Sequence, residues 1–412
     1  MTADPSASSP PSPAQKTLEL VFFDAGGGHR AAANALSEVT RREDRPWDMQ
    51  LMNLQELLDE MDVFRKLTGI RLQDIYNLML RRGWTLGSPT LVKGMHAVIR
   101  LFHGQQVKML RDYWSKRRPD MVVSLIPNFN RALCAAARKA LPGVPVVTIL
   151  TDMADYPPHF WIERESQYLI CGTERARRQA LDMGHPPERV FLTSGMILSP
   201  RFYDSLPAGG DNEAARADAR AELGLDPARP VALMMFGGEG SPVMMQIARQ
   251  LDASGLDIQL IAICGKNAKL EAAMRAAKWR IGMHVTGFTR EVPRFMRLAD
   301  FFIGKPGPGS ISEAVAMGLP VIIECNNWTL PQERYNAVWT EEQGVGISVR
   351  SFKKEITAAV RRMIDPAARA SFVERVRAQR NRAVFEIPGI LDGILTGQNP
   401  AAHSPAAECP TE

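Results

Sequence analysis

The residue types best suited to chemistry lie in the run G-K-P-G-P-G-S-I-S-E-A-V-A-M-G-L-P, Gly304 to Pro320. An apolar strand ends at Gly304, a Gly/Pro turn follows, and a helix opens near Ser310. The free backbone N–H groups and the dipole at such a helix start suit a diphosphate. Gly307 and Gly309, on either side of Pro308, let the backbone approach an anion closely. Glu313 then falls in the first turn, where a carboxylate can accept both hydroxyls of a ribose, as an acidic residue does in dinucleotide-binding folds. The same pattern also fits a plain glycine-rich strand–helix turn in which Glu313 complements the dipole.

Three further elements of the second half follow strands or open helices. F-G-G-E-G-S (Phe236–Ser241, with Gly238 and Glu239) precedes a helix and can face a phosphate. T-G-F-T (286–289) offers backbone groups, Phe288 and Thr289 to a flat base, although a core Phe at a strand end gives the same letters. P-Q-E-R-Y-N (331–336) opens a helix on which Gln332, Glu333 and Asn336 share a face at i, i+3 and i+4 spacing, as sugar hydroxyls or a solvated helix start would require. In the first half, F-D-A-G-G-G-H-R-A-A-A-N-A-L (Phe23–Leu36) follows the first strand. Gly27 and Gly28 clear the space around His29, which sits in the first turn of a helix. A capping or packing histidine is the ordinary fate of a lone His, but the glycines leave room for a ligand. Asp152, in L-T-D-M-A-D-Y-P-P-H-F-W, follows another strand and either faces a cleft or shapes a loop.

These motifs need a frame, and the hydrophobic pattern supplies one. Short apolar, β-branched runs alternate with helical stretches: 18–23, 121–126, 144–150, 168–171 and 190–194, then 231–236, 258–264, 283–287, 300–304, 320–324 and 346–350. Continuous apolar strands separated by helices predict parallel sheets covered on both faces, hence an α/β class. There are two sets, so the 412 residues divide into two Rossmann-like domains facing each other. The Pro/Gly linker at 204–220 sets the boundary. The predicted division is a disordered tail at 1–15, a first domain at 16–205, a second at 215–365, helices at 366–396 crossing back to the first, and a disordered tail at 397–412. Every motif follows a strand, at the carboxyl edge where such sheets bind ligands.

Composition narrows the class. Apolar residues make up 45% and charged residues 23% of the chain, which fits a folded protein, and no run of about 18 apolar residues suggests a membrane span. The N-terminus lacks a secretory layout, and five scattered cysteines make neither a metal spacing nor a disulfide set, which points to a reducing cytosol. The net charge of +5 conceals an asymmetry: Phe64 to Arg118 carries twelve Lys/Arg against two Asp. Apolar and aromatic side chains interleave with these cations, and Trp84 follows Arg81 and Arg82. That arrangement suits an anionic lipid surface, and an amphipathic helical insert also fits. A nucleic-acid partner would leave both glycine turns unexplained.

The order GGEG, IAICGKN, TGF, KPGPGSISEAVAMGLPVII and QE..N resembles the monogalactosyldiacylglycerol synthase group of glycosyltransferase family 28, over about 18–350. The resemblance implies a GT-B fold and an inverting transfer. It assigns the diphosphate to the turn Gly307–Ser310, the ribose to Glu313, the uracil to Phe288–Thr289 and the sugar to Gln332 and Glu333. The motif S-D-T-G-G-G-H-R of that family matches Phe23–Arg30 and makes His29 the catalytic base, a role that a neutral imidazole at a helix N-terminus can fill. Asp152 resembles its T-D element. The chain departs from the usual K-A-G-P-G-T at Pro306 and Ser310, and Pro306 removes a backbone donor. The implied reaction moves a hexose, galactose in preference to glucose, from a UDP-sugar to a diacylglycerol-type lipid. It would run on the inner face of the cell membrane, with the protein cytoplasmic and peripheral. No D-x-D motif is present, so neither metal nor cofactor is expected beyond the donor. A polyprenyl-diphosphate-linked N-acetylglucosaminyltransferase, or another UDP-sugar GT-B enzyme, is the alternative.

Overall fold

The computed structural model describes residues 15–24, 28–61, 102–204 and 213–398. The first half contains β1 (Lys16–Phe22), α1 (Gly28–Arg42), β2 (Trp47–Asn53), α2 (Leu54–Met61), α3 (His103–Lys116), β3 (Met121–Ser124), α4 (Asn130–Ala140), β4 (Val146–Ile149), β5 (Tyr168–Cys171), α5 (Glu174–Asp182) and β6 (Val190–Leu192). The strands form one sheet in the order β2-β1-β3-β4-β5-β6, parallel throughout. β3 and β4 are buried at every position, because helices cover both faces of the sheet. β2 is the one strand the hydrophobic pattern does not announce. It is an edge strand of mostly half-buried residues, so its sequence WDMQLMN has no continuous apolar run.

The second half contains α6 (Glu213–Glu222), β7 (Val231–Met235), α7 (Val243–Ala253), β8 (Gln259–Ile263), α8 (Ala268–Ala276), β9 (Met283–Thr286), α9 (Val292–Leu298), β10 (Phe301–Gly304), α10 (Pro308–Ala316), β11 (Val321–Glu324), α11 (Pro331–Glu342), β12 (Gly346–Val349), α12 (Phe352–Ile364), α13 (Pro366–Ala378) and α14 (Ala383–Thr396). Its sheet runs β12-β11-β10-β7-β8-β9, again all parallel. One face packs on α7, α8 and α12, the other on α9, α10 and α11.

α6 belongs to this second domain. Arg216 donates to the carbonyls of Arg297 and Ala299, at the end of α9, and Arg220 donates to that of Leu298. Both also pair with the buried Asp300, which accepts from Arg369 of α13 as well. The helices after 365 divide. α13 was expected to cross to the first domain, but Arg369, Phe372 and Val376 hold it on the second. Only α14 crosses, placing Val384, Ile387, Leu391 and Ile394 in the core of the first domain. At the crossing, Glu386 accepts from the main chain and hydroxyl of Ser194, and Asn381 donates to the carbonyl of Met196 at 2.9 Å. The tails expected at 1–15 and 397–412 fall almost wholly outside the described residues.

Candidate active site

Each sheet has one point where the strand order reverses, and a crevice opens there at the carboxyl ends. In the first sheet it lies between β1 and β3. The β1 edge feeds α1, whose second residue is His29, and β3 feeds the loop 125–129. In the second sheet it lies between β7 and β10, so Gly237–Ser241 and Lys305–Gly307 flank the same crevice.

On the first side, His29 Nδ1 lies 3.1 Å from Thr151 Oγ1. Burial lowers its pKa to about 4, and a main-chain hydrogen bond at Leu125 raises it only in part. The imidazole is therefore neutral at neutral pH. Its ring centroid is 5.9 Å from that of Trp161, which is fully buried. Trp161 Nε1 donates to Asp152 Oδ2 at 2.8 Å. Asp152 does not bond His29; Thr151, one residue earlier, is the partner. Burial pushes the Asp152 carboxyl up to about 7, with the negative charges of Glu333 and Asp155 adding to this, against the Trp161 hydrogen bond and Lys305. Gly28 is exposed at the start of α1. Beside it, Arg30 forks onto Asp24. Gly27, Arg81, Arg82 and Trp84 lie outside the described residues.

On the second side, Gly307 caps α10 and Pro308 occupies its first position. Proline is preorganised for that place, so the helix begins two residues before Ser310. Glu313 consequently lies in the second turn, not the first as the sequence suggests. Its carboxyl is raised to about 7 by burial alone. Gly309 is exposed with open space where a side chain would stand, and Ser310 follows it, half-buried. Helix-start N–H groups have no intrahelical acceptor, so those of Gly309 and Ser310 can meet an anion.

Gly240 has φ +63, and a Cβ there would stand 2.2 Å from the carbonyl of Cys264. This close approach packs the Gly238–Glu239 turn onto the loop after β8. Phe288 is 59% exposed at the end of β9, next to Thr289, and the Lys266 ammonium lies 5.8 Å from its ring centre. An exposed aromatic at this edge is available for stacking.

Of the face expected on α11, Gln332 and Glu333 are half-buried. Asn336 is different: it is completely buried and its amide donates to the carbonyl of Pro306 at 2.7 Å. It braces the glycine turn from behind, so the expected sugar contact is, in geometry, a support for the diphosphate turn. Sequence spacing missed Lys305. Its ammonium is 3.5 Å from Glu333 Oε1, and its chain runs 3.4 Å from where Cβ atoms would stand on both Gly237 and Gly307. It therefore occupies the gap between the two glycine turns as a cation. Among the described residues no group of three or more His, Cys, Asp or Glu side chains could hold a metal ion.

The two sides meet. Asp152 feels both Glu333 and Lys305 of the other domain, and Tyr156 packs on Tyr335 with ring centroids 6.1 Å apart. A neutral imidazole on one wall and an open helix start on the other thus share one cleft.

Residues 29–196 match the family model for monogalactosyldiacylglycerol (MGDG) synthase, and residues 233–381 match that for the glycosyltransferase family 28 C-terminal domain. A probable monogalactosyldiacylglycerol synthase 2 from Oryza sativa subsp. japonica is 29% identical over 370 residues, covering 85% of this chain and 73% of the relative. The monogalactosyldiacylglycerol synthase of Spinacia oleracea is 28% identical over 400 residues, covering 92% and 73%. Among solved structures, MnaA of S. aureus with UDP has a TM-score of 0.58 at 15% identity, covering 95% of this chain and 99% of that one. MurG of Acinetobacter baumannii has a TM-score of 0.57 at 13% identity, covering 92% and 99%. The fold is GT-B, as the two facing six-stranded sheets indicate. By these two family models, which together span most of its length, the chain belongs to the monogalactosyldiacylglycerol synthase-like group of glycosyltransferase family 28.

Proposed function

We propose that this protein transfers a hexose from a UDP-sugar to diacylglycerol with inversion, forming a β-glycosyl-diacylglycerol; galactose is favoured and glucose is the alternative. The observation that carries this reading is the pairing of a half-buried, neutral His29 with the open helix start at Gly307–Ser310 across one cleft. The acceptor hydroxyl oxygen attacks the anomeric carbon, its proton passes to His29, and the bond from that carbon to the diphosphate oxygen breaks. The departing charge meets the α10 N-terminus and Lys305. Glu313 accepts from the ribose, Phe288 and Thr289 take the uracil, and Gln332 and Glu333 hold the hexose. No metal takes part in this scheme.

The relatives' names support galactose as donor sugar and diacylglycerol as acceptor. No helix among the described residues is long and apolar enough to cross a membrane. We place the protein peripherally on the inner, cytoplasmic face of the cell membrane, held by the basic segment 64–118. Flotation with anionic vesicles tests that placement; a protein that stays at the bottom of the gradient argues against it.

The direct test supplies diacylglycerol with UDP-galactose and UDP-glucose separately and identifies the glycolipid and its anomeric configuration. An α-linked product would remove the inverting mechanism. His29→Ala should lower turnover about 10²- to 10⁴-fold and leave UDP affinity unchanged by calorimetry. Turnover near wild type in that variant would unseat His29 as the base.

A further inference from the structure

One side chain touches both His29 and Asp152. Trp161 is fully buried, and its main chain is tied at both ends. Its N–H donates to Asp155 Oδ1 at 2.6 Å, and its carbonyl accepts from Asn130 Nδ2 at 2.8 Å. Asn130 is in turn bonded to the Ser124 hydroxyl at 2.6 Å and to the carbonyl of Ile126 at 3.1 Å. With these contacts fixed, the indole has a defined orientation. One part of it lies against the His29 imidazole at an interplanar angle of 54°, and its N–H points at Asp152 Oδ2. No hydrogen bond joins His29 to Asp152.

A buried tryptophan needs an acceptor for its N–H. Here the acceptor is a carboxylate, whose burial is costly unless hydrogen bonds compensate it. Asp152 is faced by Trp161 and Asp155 from its own loop and by Glu333 and Lys305 from the second domain. One of its two oxygens is taken up by the indole.

We infer that Trp161 is a positioning residue for the transfer proposed above: it walls the imidazole on one side and orients the Asp152 carboxylate, so that this charge faces the imidazolium formed when His29 accepts the acceptor's proton. The inference rests on the proposed function.

Trp161→Phe keeps the ring wall and removes the N–H. With UDP-galactose and diacylglycerol, kcat should fall about tenfold or more, while KM for the donor stays within about twofold. Asp152→Asn should show the same split. The double variant should be no slower than Asp152→Asn alone, because the two act as one unit. A Trp161→Phe enzyme with half of wild-type kcat, or drops that multiply in the double variant, overturns the inference. A second measurement needs no variant to fold with altered packing. The Trp161 indole proton resonance of the wild-type protein should move as Asp152 titrates and should not move in Asp152→Asn; an indole that is blind to that titration also overturns it. A wild-type protein that transfers neither hexose would sink the proposed function instead, and the indole resonance would still decide the coupling.

Discussion

Glu313 sits in α10 with burial as the sole influence on its carboxyl, which rises from its ordinary 4.5 to about 7. Between those values the folded state holds a proton that the unfolded state has released. Stability tied to Glu313 is therefore full below pH 4.5 and is lost as pH climbs through 7. Glu313→Gln should thus stabilise the free protein by on the order of 1–3 kcal/mol at pH 8, with the difference shrinking toward pH 4.5 in thermal melts. The same variant should weaken UDP binding about tenfold or more, because a charged acceptor is lost from the ribose. A variant that is less stable at pH 8, or that binds UDP as tightly as wild type, contradicts this assignment. At this scale the sequence was partly legible. Glycines and a histidine after a strand can be read from spacing. The partners of His29 cannot: Thr151 and Trp161 sit in a run that looks like ordinary core and loop, and only the sheet brings β4's end beside α1. Asn336 misleads in the opposite direction, since a polar residue at i+4 reads as cleft-facing when it is fully buried. Lys305 is a lysine beside glycines, and its role depends on Gly237, which arrives from another strand.

Eleven of the twelve strands among the described residues are visible as apolar runs, because a strand buried on both faces has no polar alternation to obscure it. The runs overshoot the ladders where core continues into a turn. Leu125 and Ile126 remain fully buried after β3 has ended. β2 escaped notice because an edge strand need not be apolar. The C-terminal helices were legible as helices but not by destination, which only the partners of Arg369 and Leu391 reveal. α14 is a helix of the first domain supplied from the far end of the chain. Leu391 is fully buried in that core, so Leu391→Ala should cost about 2–5 kcal/mol. Urea unfolding followed by domain-specific probes should show the first domain's transition at lower urea and the second domain's unmoved. A shift confined to the second domain would contradict the packing.

At the scale of the molecule, a ring contact joins the two walls of the cleft. Tyr156 packs on Tyr335, and Arg175 holds the Tyr156 hydroxyl from α5. α11 carries Tyr335 as well as Gln332 and Glu333, so the ring pair sets how near the donor residues come to Asp152. An aromatic pair is worth about 0.5–1.5 kcal/mol. Tyr335→Ala should therefore lower kcat/KM about twofold to tenfold, leave the melting of each domain unchanged and widen the solution-scattering envelope; an unchanged kcat/KM would count against a role in closure. The return of α14 adds a kinematic consequence. The chain passes between the domains twice, once between Asp204 and Glu213 and again between Ala378 and Ala383. A single tether would let one domain swing in any direction about the other. Two tethers leave chiefly a rotation about the line that joins them, like a door on a pair of hinges.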